Sequence, residues 1–188
     1  MKIKKIFQSI FKNIAIIIFK LIYGKVKENN DYKSNLKYFK EEINFEGCKS
    51  TYNLFKINNA RLYTDRIQDT AIIKDNIIVE EASFQLRNNF NSTVNKNIVI
   101  KKGTPRFLKK LNGSVLSLLT GGGGNDNFFH WFFDVLPRLG IYEKNLNSKN
   151  INYLLCPNLN SWQIKSLQLL GFTKEQLLSS VKYRHIFS

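Results

Sequence analysis

With 188 residues, 43% hydrophobic and 13% aromatic, the chain has the length and apolar content for one domain with a core of its own, and general disorder is excluded. The formal net charge is +15, yet no nucleic-acid motif accompanies it, so a nucleic-acid partner is not expected. Cys48 and Cys156, the two cysteines, have neither metal-ligand spacing nor a disulfide framework, which fits a reducing compartment and small, partly buried side chains.

The charge is uneven. Met1 to Lys27 carries seven lysines and no acid, and the other 161 residues contribute +8. Within that segment Ile3, Ile6, Phe7, Ile10, Phe11, Ile14, Ile17, Ile18, Leu21 and Ile22 recur at intervals of three and four, while Lys2, Lys5, Lys12, Asn13 and Lys20 fall largely on the other side. This predicts an amphipathic helix with a basic polar face. Its longest unbroken apolar run, Ile14 to Phe19, is far shorter than the ~20 residues of a membrane span. The expectation is a helix over 1–27 lying in a membrane interface, lysines toward anionic headgroups, with the protein peripheral at the cytoplasmic face of an inner membrane. Packing of the same helix on its own domain or on a partner is the alternative, with a signal peptide or a tilted span as the remaining readings. Residues 28–47 read as a linker, with Asn29 to Lys40 polar and charged and suited to a linker or a solvated helix.

Over 48–101 the pattern changes to short runs rich in β-branched residues: 51–57, 60–63, 70–74, 77–81 and 98–101. Lys74-Asp75-Asn76 reads as a hairpin turn, and 87–97 as an Asn-rich loop. This is expected to be a small β-rich region.

From 102 to 188 strands and helices alternate. A strand is predicted over 114–119, a helix over 126–143, a strand over 152–156, a helix over 161–170 capped by Gly171, a short helix from Thr173, and a strand over 181–187. That order predicts a parallel sheet covered by helices in an incomplete α/β domain.

Chemistry concentrates between the first strand and helix. Gly121 to Gly124 stand where backbone N–H groups and a helix N-terminus favour an anion. The spacing is neither the dinucleotide fingerprint nor a P-loop, so a flexible turn and direct ligand contact through Gly122, Gly123, Gly124, Asn125 and Asn127 both stand as readings. His130, Asp134 and Arg138 follow at intervals of four, one face of a helix. His130 suits proton abstraction, Asp134 suits orienting it or acting in its place, and Arg138 suits a phosphate or carboxylate. The structural readings are a buried histidine bonded to a carbonyl and an Asp134–Arg138 ion pair. Phe128, Phe129, Trp131, Phe132, Phe133, Leu136 and Leu139 are expected to be core, and Pro137 to kink the helix near Phe133 and turn Arg138 away from His130.

The run Asn127-Phe-Phe-His-Trp-Phe-Phe-Asp-Val-Leu-Pro-Arg-Leu139 resembles the hallmark of glycosyltransferase family 61, whose bacterial members serve capsular polysaccharide biosynthesis: an aromatic pair, His-Trp, an acidic residue, then Leu-Pro-Arg-Leu. The preceding stretch from Gly113 resembles the family's lead-in strand and loop. The resemblance is strong over about 30 residues and extends over roughly 60–188. It implies the N-terminal Rossmann-like half of a GT-B fold and inverting transfer of a sugar from a nucleotide-sugar co-substrate to a glycan or lipid-linked acceptor hydroxyl. It implies no essential metal or other cofactor. His130 or Asp134 would be the base, with Arg138 or the glycine-loop amides holding charge. The donor domain is expected to lie beyond these residues, so that the 188-residue chain alone is inactive. The competing expectation is a non-catalytic remnant that binds glycan or another subunit at the membrane.

Overall fold

Side chains that alternate between the two faces of short strands, and 3.6-residue stripes along helices, sort the chain into stacked layers. The structure, a computed structural model, describes residues 2–28, 37–45, 48–64, 69–85, 94–119, 126–146 and 151–188. Helix α1, Lys2–Tyr23, leads into an extended stretch in which Val26 is buried and Lys27 bridges to Ile77. The helix is thus shorter than the 1–27 expected from its pattern.

Strands β1 (Lys37–Phe45) and β2 (Cys48–Lys56) form an antiparallel hairpin of their own. Residues 37–45, expected to be linker, are therefore a strand. Tyr38, Phe39, Ile43 and Phe45 supply the β propensity that the charged residues between them obscure, and the neighbouring strand completes the ladder. The Glu41 side chain pairs with Lys144 and takes a bond from Asn145, tying the hairpin to a distant helix.

Strands β3 (Arg61–Thr64), β4 (Asp69–Lys74) and β5 (Ile77–Gln85) follow as an antiparallel meander. The Lys74-Asp75-Asn76 turn forms as expected, with positive φ at Asp75 (51°) and Asn76 (64°), the conformation a two-residue hairpin needs. The run 98–101 departs from its β-like composition: Ile98–Lys102 is a short helix, α2. Asn97 caps it, its side-chain oxygen accepting from the Val99 N–H at 3.1 Å while its amide donates to the Thr70 carbonyl and to Gln85. A cap with three partners outweighs weak β propensity.

Strand β6 (Lys109–Lys110) precedes a parallel sheet of β7 (Val115–Ser117), β8 (Tyr153–Cys156) and β9 (Leu177–Ser179) in that order. Between β7 and β8 run α3 (Phe128–His130), a π-helical turn (Trp131–Val135) and α4 (Leu136–Leu146) as one continuous helix, and between β8 and β9 runs α5 (Ser161–Leu169). This is βαβαβ connectivity. Its third strand is 177–179, not the expected 181–187. Strand β10 (His185–Phe187) instead joins the meander, antiparallel to β3 and parallel to β6, in the order β5-β4-β3-β10-β6. One sheet therefore crosses the boundary expected at 101/102. Main-chain bonds from Lys182 and Tyr183 back to Ser179 turn the chain between the two sheets.

Alternation decides the stacking. On β8, Leu154 and Cys156 pack with Trp131, Val135, Leu139 and Leu167 of the helices. Leu155, between them, packs with Leu62 and Ile186 of the five-stranded sheet. On the far face of that sheet Tyr63, Ala71 and Ile73 pack with Val26 and Val99. Helices thus cover one face of the parallel sheet and the five-stranded sheet covers the other.

Candidate functional site

The long helix follows β7 in chain order, on a strand-to-helix connection of the kind at which parallel-sheet proteins commonly bind ligands. Asn127 caps it, its side-chain oxygen accepting from Phe129 N–H at 2.8 Å and His130 N–H at 3.4 Å. Asn127 is thus occupied with the helix start. Gly122, Gly123, Gly124 and Asn125 lie outside the described residues.

Trp131, Val135 and Leu139, at intervals of four, form the stripe buried against β7 and β8. The Trp131 indole N–H donates to the Ser166 hydroxyl at 2.9 Å, so the one polar atom of this large buried ring is satisfied by α5. His130, Asp134 and Arg138 form the next column, at the edge of the buried stripe.

Pro137 has the consequence its chemistry requires. It has no N–H, and its ring crowds the preceding turn. The helix widens there, and the Leu136 N–H bonds to the Trp131 carbonyl, five residues back. Within the widened turn His130 and Asp134 still meet: Asp134 Oδ2 contacts His130 Nδ1. Their side chains keep 39% and 38% of their exposure, so the pair is open to solvent on one side. His130 is therefore half-exposed rather than buried, and among the described residues its ring meets the Asp134 carboxylate rather than a carbonyl.

Arg138 follows a different course. Its Nη1 donates to the Leu118 carbonyl at 3.2 Å, just past β7, rather than pairing with Asp134. Burial holds its guanidinium below the usual range, with the Asp134 carboxylate opposing that shift. Together with Tyr52, Glu81 and Ser117 it lines a cleft of about 290 Å³ between the hairpin, β5 and β7. A larger cleft of about 950 Å³ opens beside it, lined by Asn53, Asn59, Lys110, Asn112, Ser117 and Tyr142 among others. Neither cleft is lined by His130 or Asp134. The cleft residues from β2 and β5 carry no local sequence signal. Only the docking of the hairpin on α4 and β7 brings them together.

The phenylalanines expected in the core are on the surface. Phe128, Phe129 and Phe133 are 63%, 60% and 63% exposed, and Phe132 is also exposed. One sheet can take only one stripe of the helix, and Trp131, Val135 and Leu139 fill it. The flanking rings instead pair with each other: Phe128 with Phe132 at 4.5 Å and Phe129 with Phe133 at 4.7 Å. Trp162 of α5 stacks on the first pair, 6.0 Å from Phe132. The His130–Asp134 column therefore runs between the exposed Phe129–Phe133 pair and the buried stripe.

Cys156 is fully buried and its thiol is pushed up to about 12 by burial, an inert core residue. The Cys48 side chain lies outside the described residues. Among the described residues no group of three or more His, Cys, Asp or Glu side chains is placed to hold a metal ion. Comparison with family models, curated proteins and solved structures gives no match to this chain.

Proposed function

We propose that this chain is the acceptor-side, N-terminal Rossmann-like half of an inverting GT-B glycosyltransferase, acting in capsular or surface polysaccharide assembly at the cytoplasmic face of a membrane. The observation that carries the reading is the His130–Asp134 pair, half-exposed in the first turns of the helix that follows a parallel strand. The order of residues from Asn127 to Leu139, which resembles glycosyltransferase family 61, supplies the reaction class.

A carboxylate only accepts hydrogen bonds, so Asp134 favours the imidazole that is protonated at Nδ1 and has a free lone pair at Nε2. Nε2 takes the proton of an acceptor hydroxyl, whose oxygen attacks the anomeric carbon of a nucleotide sugar. The bond to the nucleotide breaks with its electrons on the leaving phosphate, and the configuration inverts. Asp134 stabilises the imidazolium that forms. Between the two candidates for the base, this contact supports His130, with Asp134 as its positioning residue. The bond from Arg138 to the Leu118 carbonyl supports a positioning role for Arg138, fastening the helix to the end of β7. The exposed rings beside His130 offer flat apolar surface for a sugar ring.

Helix α1 supports the membrane placement. Ten of its large apolar side chains between Ile3 and Ile22 are exposed, and a smaller side of the helix, with Phe19 and Tyr23, meets the domain. By length and composition Ile3–Tyr23 is also long and apolar enough to cross a membrane. Lys12 lies midway along the helix, and a lysine at a bilayer centre costs on the order of 3 kcal/mol. That favours the in-plane orientation.

The test is polysaccharide synthesis in cells carrying the gene with His130→Ala or Asp134→Asn. Loss of polymer with normal protein level is expected; wild-type polymer from both variants sinks the site. The exposed Phe patch favours one second reading, a non-catalytic module that docks glycan or a subunit. It would be indicated by polymer lost on removing the phenylalanines but retained in His130→Ala.

A further inference from the structure

We infer that the segment from Lys101 to Lys109, the end of α2 and the loop after it, is a second membrane contact that reads anionic phospholipid headgroups. The inference rests on the reading of α1 as a membrane-interface helix. Residues 101–110 hold five basic side chains and no acid. Lys101, Lys102, Arg106 and Lys109 are all exposed, and Phe107 among them is 76% exposed. Lys110 belongs to the larger cleft instead and is left out.

The structure ties this basic loop to the carboxyl end of α1. The Phe107 ring meets Phe19 edge-on at 5.0 Å. The Tyr23 hydroxyl accepts from the Leu108 N–H at 3.3 Å, and the stem of Lys20 passes beside Gly103. Beneath them the buried Arg61 guanidinium donates to the Tyr23 carbonyl at 3.3 Å and to the Thr104 hydroxyl at 3.3 Å, and also holds Asn76. Helix end, loop and hairpin turn are one junction, so a bilayer that takes the apolar stripe of α1 has the loop's cations beside it.

Charge chooses the occupant. An exposed aromatic ring among cations, continuous with a 22-residue helix of exposed apolar residues, matches a headgroup layer over hydrocarbon. Each basic residue close to an anionic leaflet adds roughly fivefold to partitioning. Four such residues add this gain to whatever binding the apolar residues of α1 have for a neutral surface.

The experiment is flotation of the full chain with vesicles of phosphatidylcholine alone or with 30 mol% phosphatidylglycerol, beside a variant carrying Lys101→Gln, Lys102→Gln, Arg106→Gln and Lys109→Gln. The wild-type chain is expected to bind the anionic vesicles at least about tenfold better than the neutral ones. The variant is expected to lose most of that gain and keep its neutral binding. Arg106→Gln with Lys109→Gln is the milder variant if the fourfold one does not fold, and should lose a smaller part. A variant that keeps the full anionic gain overturns the inference, because the lysines of α1 then carry it. Equal wild-type binding to both vesicles overturns it and leaves of the α1 reading only the apolar contact with the bilayer. Binding to neither overturns both, and retention on RNA without anionic-vesicle binding points the cations at the wrong partner.

Discussion

The Asp134 carboxylate lies against Nδ1 of the His130 ring, one turn along the same helix, and so sets which imidazole nitrogen is free to take a proton. The relationship survives a widened helical turn and a proline three residues further on. It is the one place among the described residues where a histidine meets a carboxylate in partial exposure.

For catalysis, His130→Ala should lower the turnover of sugar transfer by roughly 10²- to 10⁴-fold with little change in KM. Asp134→Asn should lower it by about tenfold to 10⁴-fold, because an amide no longer enforces the Nδ1-protonated tautomer. The double variant should be no worse than His130→Ala, since the two side chains act as a unit. Additive losses would show that Asp134 works independently of the ring.

The exposed rings separate binding from stability. Phe129→Ala with Phe133→Ala should change stability by only about 0.5 kcal/mol per site. If the rings carry a sugar, KM for the acceptor rises while kcat holds. An unchanged KM would remove them from the binding surface.

Trp131 is the opposite case. It is buried, and its N–H is bonded to Ser166. Trp131→Ala should cost about 3–5 kcal/mol in urea unfolding, and Trp131→Phe clearly less, since most of the ring volume remains. A Trp131→Ala chain as stable as the wild type would contradict the packing of this helix on β8.

His185 predicts a pH dependence. It is buried against Tyr63, with ring centroids 4.8 Å apart, and burial first, then Arg106, Arg61 and Arg184, lowers its pKa from 6.5 to about 3. The unfolded chain therefore binds the extra proton between those values. This contribution to stability is complete above about pH 6.5 and falls by up to about 1.4 kcal/mol per pH unit below it. The fall ends near pH 3. His185→Phe should flatten that part of the curve in denaturant titrations between pH 7 and pH 4. An unchanged slope would place the ring in contact with water.

Cys156 should resist thiol reagents in the folded protein, because burial pushes its thiol up to about 12 and closes access. In a Cys48→Ser background, labelling is expected in urea and not in buffer. Rapid labelling of the native chain would mean that the β8 core opens readily.

Much of this was legible in local pattern. The basic apolar helix, the Asp75-Asn76 turn, the strands at 153–156 and 115–117, and the Gly171 stop after α5 all follow from neighbours in sequence, because propensity, caps and positive φ act over a few residues. The column of His130 and Asp134 was equally legible, since i,i+4 spacing is a property of the helix alone.

Other features were decided at a distance. That 185–187 leaves the parallel sheet for β3 and that 98–102 coils under an Asn97 cap depend on partners tens of residues away, and 37–45 becomes a strand only by pairing with the segment that follows it. The helix at 128–146 carries more aromatic surface than one sheet can cover, so only packing could select Trp131 for the core and leave Phe129 and Phe133 in solvent. Arg138, one turn past a widened helical turn, bonds to the Leu118 carbonyl, a partner that only the packing of the helix on β7 supplies. The sequence by itself determined which residues could do chemistry and on which helical face. The tertiary structure decided which of them meet water, because burial is a competition among all apolar faces for a limited sheet surface.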